Sequence, residues 1–226
     1  MLHPVITKET IEFLNDLKKN NNREWFTGHK NRFTERQKEV KTFMEYILEM
    51  MKSHDEIEKL KMFRIYRDIR FSKDKTPYKH NFSGSFSRSG LDRRGGYYVH
   101  IEPGGSFIAT GFWNPEKDDL LRIRKEWELD TTELKGIIEN KGFKEIWGEL
   151  VGDELKTAPK GFDKDDPNID LIKKKQFIFI RKFTDTEVLQ QYFADTILES
   201  FRRIRPYFDL MSSILTTNLN GESLLD

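Results

Sequence analysis

Between His80 and Glu102 the apolar and polar residues alternate in two short runs, with a third run following across a tight turn, and this narrows what the chain can fold into more than any other feature. Along His80–Ser87, Phe82, Gly84 and Phe86 fall on one side and Asn81, Ser83, Ser85 and Ser87 on the other. Along Tyr97–Glu102, Tyr97, Val99 and Ile101 oppose Tyr98, His100 and Glu102. The third run, Ser106–Trp113, follows Pro103-Gly104, a pair with the i+1, i+2 chemistry of a type II turn. A side-chain period of two belongs to strands, and strands joined by so short a turn are antiparallel. Residues 97–113 are therefore predicted as a hairpin, in a sheet with one covered and one open face. Met62–Tyr66 alternates as well, and Gln176–Phe183 is a fifth candidate strand.

On either side of these runs the period becomes helical. Thr7–Asn20 places Ile11, Leu14 and Leu17 on one stripe, with Thr7 as candidate N-cap, and Asn22 is placed to cap a further turn. Lys30–Lys52 puts Phe33, Val40, Phe43, Met44, Ile47, Leu48 and Met51 on one side of a long helix. Residues 115–150 carry three short apolar faces, and 159–167 reads as a loop before a short helix capped by Asp166. A long helix is predicted over Asp185–Arg205, broken or kinked at Pro206, with a further turn or two to about Leu215. Helices, meander, helices, strand and helix in that order predict an α+β fold. We expect an antiparallel sheet of four to five strands with helices mainly on one face, and 1–226 as a single domain.

Composition narrows the chemistry. Hydrophobic residues make up only 36% of the 226, but 18 are Phe, so the core is expected to be built from rings. Cysteine is absent, which excludes disulfides, thiolate nucleophiles and Cys-ligated metals. A net charge of +1 excludes a generally basic coat or an acidic tail protein. No basic leader with a long apolar run opens the sequence, and no stretch reaches the ~18 apolar residues of a membrane span. A soluble, cytoplasmic protein is expected. No P-loop, dinucleotide or nucleophile-elbow string occurs, and no cofactor is expected.

Against that neutral background one segment is charged. From Lys61 to Phe82 stand Lys61, Arg64, Arg67, Arg70, Lys73, Lys75 and Lys79 with only Asp68 and Asp74, a local balance of +5. The segment connects two candidate strands, and connections held by a rigid sheet commonly carry function. Arginine supplies a planar fork for carboxylate or phosphate, lysine a point charge, and Tyr78 a hydroxyl. The bland reading is an internal ion-pair network, with Arg67-Asp68 and Asp74-Lys75 pinning a long connection.

The string RxxRDxRFxxDKxxYK, at Arg64, Arg67, Asp68, Arg70, Phe71, Asp74, Lys75, Tyr78 and Lys79, resembles the signature of a bacterial family known as domain of unknown function 2461. Asn21–Phe26, Gly95–Pro103 and Ala158–Phe162 are similar to it too, so the resemblance covers nearly the whole chain. It implies a soluble, single-domain protein of about this length and points to no particular reaction.

Two weaker signals remain. His100 and Glu102 share a strand face, and His80 is placed to join them from a neighbouring strand. Such a trio can ligate a metal or serve as acid and base, but three polar residues on an open face is the simpler reading, and no metal is expected. Asp163-x-Asp165-Asp166 lacks the Gly and Glu of a calcium loop, having Asn168 and Lys174 there instead. The leading expectation is therefore binding of an anionic, phosphorylated ligand through Arg64, Arg67, Arg70, Lys75, Tyr78 and Lys79. Trp113 is placed on the same open face. Catalysis is left open, with Asp68 and His100 as candidate bases. The alternatives are a nucleic-acid-binding module, with Tyr97, Tyr98 and Phe112 near a basic face, and a structural or interaction protein. Phe71, Phe82 and Phe86 are expected in the core.

Overall fold

The computed structural model describes residues 3–225. Three helices open the chain, α1 (Lys8–Lys19), α2 (Arg23–Gly28) and α3 (Lys30–Met51). Four strands follow, β1 (Ile57–Met62), β2 (Phe82–Arg88), β3 (Gly96–Ile101) and β4 (Phe107–Phe112). Helices α4 (Lys117–Leu129), α5 (Thr132–Ile138), α6 (Lys141–Trp147) and α7 (Ile169–Ile172) lead to β5 (Phe177–Lys182). The chain closes with α8 (Asp185–Val188), α9 (Phe193–Arg203) and α10 (Arg205–Thr216). The five strands form one antiparallel sheet in the order β1-β2-β3-β4-β5, so the fold is α+β, with each strand beside its sequence neighbour. At the β3–β4 turn Gly104 has φ +67 and the Gly105 N–H donates to Glu102 O at 2.9 Å, as a type II turn requires.

The structure departs from several expectations. β1 begins at Ile57 and ends at Met62, so Arg64 and Tyr66 lie in the connection and not in a strand. The helix predicted over Asp185–Arg205 is two, with a break after Val188; Thr184 and Glu187 form a capping box that starts α8, which runs four residues. The break at Pro206 is as expected: α9 ends at Arg203, Pro206 sits in the first turn of α10, where its missing N–H costs nothing, and α10 runs to Thr216. Thr7 precedes α1 as expected, but its hydroxyl donates to Glu39 Oε2 at 2.9 Å and not to the helix. Asn168 holds the N-cap position of α7, and Asp166 Oδ1 accepts from the Asn168 N–H at 2.7 Å.

The chain divides into two compact units. The first takes in the chain through Phe86, then Tyr98–Ile108 and Lys182–Glu199. Its centre is aromatic, as the Phe count suggested. Phe82 of β2 lies 6.4 Å from Phe13 of α1 and 6.1 Å from Phe33 of α3, ring centre to ring centre, and Phe43 stacks on Phe193 at 5.7 Å. Glu39 ties α3 to the start of α1, accepting from the Thr7 N–H at 2.8 Å and the Thr10 hydroxyl at 2.7 Å.

The second unit takes in Ser87–Tyr97, Ala109–Arg181 and the chain from Ser200. Here Tyr97 lies 4.7 Å from Phe201 and 5.0 Å from Phe208, while Trp127 meets Phe177 edge-on at 4.8 Å. Gly111 is required by its backbone: at φ +126, an added Cβ would stand 2.1 Å from Phe177 O. Among the described residues no helix is long and apolar enough to cross a membrane.

Candidate functional site

Past β1 the chain still follows the sheet edge for one residue, where the Phe63 N–H donates to Ser83 O at 2.9 Å. It then pairs with itself. Tyr66 and Tyr78 form an antiparallel bridge, Arg67 N–H donates to Pro77 O at 3.0 Å, and Lys79 N–H to Ile65 O at 2.7 Å. Ile65 and Tyr78 are the apolar anchors of this stem, both buried. The Tyr78 ring stacks on Phe26 at 4.0 Å, and Asn21 holds its backbone at both ends, accepting from Tyr78 N–H at 3.1 Å and donating to Tyr78 O at 2.9 Å. Burial pushes the Tyr78 hydroxyl pKa up. Tyr78 therefore stands in the core of the stem rather than at a ligand surface.

The stem carries a loop whose charges are largely committed to each other. Arg67 reaches across it to Asp74 and Thr76. The Thr76 N–H and the Arg67 guanidinium hold the Asp74 carboxyl down at about 2. Asp68 takes Arg70 in a two-pronged pair, Oδ1 with Nε at 3.0 Å and Oδ2 with Nη2 at 2.7 Å, and that bond lowers its pKa. Lys75 Nζ donates to Ile69 O at 2.9 Å. Arg67 and Asp68 are thus each paired, but not with one another. Phe71, expected in the core, is 97% exposed. The stem turns the loop tip away from the unit's interior, so a ring at the tip has nothing to bury against. An open groove of about 400 Å³ is lined by Arg64, Tyr66, Arg67, Asp68, Ile69 and Arg70.

Arg64 differs from its neighbours. It is exposed and makes no side-chain hydrogen bond or ion pair among the described residues. Lys79 is close enough that burial first, and the Arg64 charge second, lower its ammonium pKa. Lys79 and Lys61 each stand 5.5 Å from the centre of the Phe63 ring.

Phe63 leads to the open face of the sheet. It meets Tyr98 edge-on at 5.9 Å, and the Tyr98 hydroxyl lies 3.1 Å from His100 Nδ1. His100 Nε2 is 2.7 Å from Glu102 Oε2, and His80 Nδ1 is 2.9 Å from Glu102 Oε1. One carboxylate thus lies between two imidazoles. The His100 ring also stacks on Phe107 at 4.6 Å, and its burial outweighs Glu102 and lowers its pKa. Among the described residues no three or more acids and histidines are disposed to hold a metal ion.

Of the residues singled out from sequence, the structure brings Arg64, Arg67, Asp68 and Arg70 to one groove. Lys75 lies within the loop, Tyr78 in the core, and Lys79 beside Phe63. Trp113 follows the end of β4 in the second compact unit. Phe63 and Lys61 were read from sequence only as part of the alternating and charged runs and not as site residues. Their signal was the strand period continued past Met62, which puts Lys61 and Phe63 on the face that Lys79 reaches.

The chain belongs to the family described as conserved hypothetical protein (DUF2461), whose model matches residues 9–210. No curated protein and no solved structure matches it.

Proposed function

We propose that this DUF2461 member binds an anionic, phosphorylated ligand at the groove beside Arg64. The observation that carries the reading is the uncommitted Arg64 guanidinium, among neighbours whose charges are already engaged by Asp74, Asp68 and the Ile69 carbonyl. The acid that shares its field, Asp68, is occupied by Arg70. Arg64 and Lys79 repel each other, and a bound anion relieves that repulsion. Phosphate suits the pair, since a guanidinium offers a two-donor fork and an ammonium a mobile point charge.

Calorimetric titration with orthophosphate, pyrophosphate and a panel of phosphorylated metabolites tests this. A charge-assisted contact contributes about 1.5–3 kcal/mol, so Arg64→Ala is expected to weaken binding roughly ten- to a hundred-fold or somewhat more. The melting temperature stays put, because an exposed arginine contributes little to stability. No binding by the wild type, or equal binding by the variant, rejects the proposal.

Phe71 favours one second reading, a single-stranded nucleic acid. Its ring is almost fully exposed and lies 6.0 Å from the Arg70 guanidinium, which makes a stacking surface beside a cation. Affinity that falls steeply with salt and is lost in Phe71→Ser supports this reading over a small phosphorylated ligand.

A further inference from the structure

The two histidines at Glu102 differ in what they have left to offer. Both nitrogens of His100 are engaged, Nε2 by Glu102 and Nδ1 by the Tyr98 hydroxyl. The half-buried ring is kept neutral by its surroundings, so Nε2–H donates to the carboxylate and Nδ1 accepts from the tyrosine. No lone pair remains for a substrate. Glu102 is itself fixed: its backbone N–H donates to Ser106 Oγ at 3.0 Å, and its side chain is 21% exposed.

His80 is different. Its Nδ1 is buried and has no aligned hydrogen bond, and the acid it faces is Glu102 Oε1 at 2.9 Å. Its side chain is nevertheless 35% exposed, so the accessible part lies away from Nδ1, where Nε2 sits. Nε2 makes no hydrogen bond among the described residues. The contact is not aligned as a hydrogen bond, but a carboxylate oxygen 2.9 Å from Nδ1 favours by its charge the tautomer with the proton on Nδ1, and that tautomer leaves Nε2 bare. The next residue in the chain is Lys79, whose ammonium feels Arg64.

We infer that His80 is the proton-accepting residue of a reaction centre for phosphate monoesters, with Glu102 as its positioning residue and His100 and Tyr98 holding Glu102. The inference rests on the anion-binding reading, which supplies the phosphate. The lone pair of Nε2 takes a proton from a water molecule as the water oxygen forms a bond to phosphorus. The bond from phosphorus to the ester oxygen breaks, and the imidazolium returns the proton to the departing alkoxide. The products are an alcohol and orthophosphate, and no oxidant or cofactor enters the balance.

Two measurements on the full chain test this. Long-range nitrogen–proton correlation spectra of the wild type read the tautomer of His80 directly. The Nδ1–H form, with Nε2 bare, is expected; the Nε2–H form that predominates in free histidine overturns the inference. Hydrolysis of p-nitrophenyl phosphate is then compared in wild type, His80→Gln and Glu102→Gln. His80→Gln is expected to lose at least about a hundred-fold in kcat, the low end for general base catalysis. Glu102→Gln is expected to lower kcat with KM little changed and to shift His80 toward the Nε2–H form, which a merely structural role would not do. Turnover retained in His80→Gln overturns the inference. Orthophosphate binding without wild-type turnover overturns this inference alone, whereas absence of phosphate binding removes the binding proposal and this one together.

Discussion

Replacing Tyr78 by alanine separates a ligand-binding tyrosine from a structural one. The ring is 5% exposed and stacks on Phe26 at 4.0 Å, while its backbone closes the stem against Tyr66. Truncating a buried aromatic to alanine costs about 3–5 kcal/mol in lost transfer energy and cavity formation. At about 2–4 °C per kcal/mol for a chain of this size, the melting temperature should fall by roughly 6–20 °C. Tyr78→Phe keeps the ring and its contact with Phe26, and should melt within about 3 °C of wild type, near 1 kcal/mol of hydroxyl loss. Both are read by thermal melts followed by circular dichroism, with phosphate titrations on each. If the hydroxyl bound the ligand, Tyr78→Phe would lose affinity at unchanged stability. A Tyr78→Ala protein that melts within 2 °C of wild type refutes the assignment of Tyr78 to the core.

Phe71→Ser should leave the melting temperature within about 1 °C of wild type, because a ring this exposed buries too little area to stabilise the fold; a larger drop would mean that the loop tip is covered. Gly111→Ala should destabilise by about 2–5 kcal/mol in denaturant titration, combining left-handed backbone strain with a clash against the Phe177 carbonyl, and a neutral effect would contradict the close approach of β4 and β5. His100 should give the protein an acid-sensitive component. Its pKa is lowered from 6.5 by burial, so the stabilisation is fully present above 6.5 and is lost as pH falls through the lower folded value; imidazole resonances that titrate at or above 6.5 would reverse that sign. Asp74→Asn should leave the global melt nearly unchanged while hydrogen exchange speeds up within 67–77, where the Arg67 guanidinium loses its charged acceptor and meets an amide NH2 or a neutral oxygen instead.

β3 was the most legible strand because Tyr97, Val99 and Ile101 are buried while the residues between them are only half-buried, and a period of two survives in the sequence wherever that is so; β4, buried on both faces, was placed by the turn before it. β2 to β5 fall within about two residues of where the sequence reading put them. The aromatic core was legible from composition alone, since a chain with 36% hydrophobic residues and 18 Phe has little else to build with. The charge of 61–82 was legible too, but not its division of labour. Sequence places Arg64, Arg67 and Arg70 at equal spacing and gives no reason to separate them. Only the stem does that, by turning Arg67 across the loop to Asp74, setting Arg70 on Asp68, and leaving Arg64 without a partner among the described residues. The same folding back puts Phe71 at the tip and Tyr78 against Phe26, although both are aromatic residues in one motif. His80 and His100 likewise read alike in the chain. The geometry at Glu102 distinguishes them, because two engaged nitrogens or one free one is a property of neighbours brought from other strands, and no local pattern encodes it.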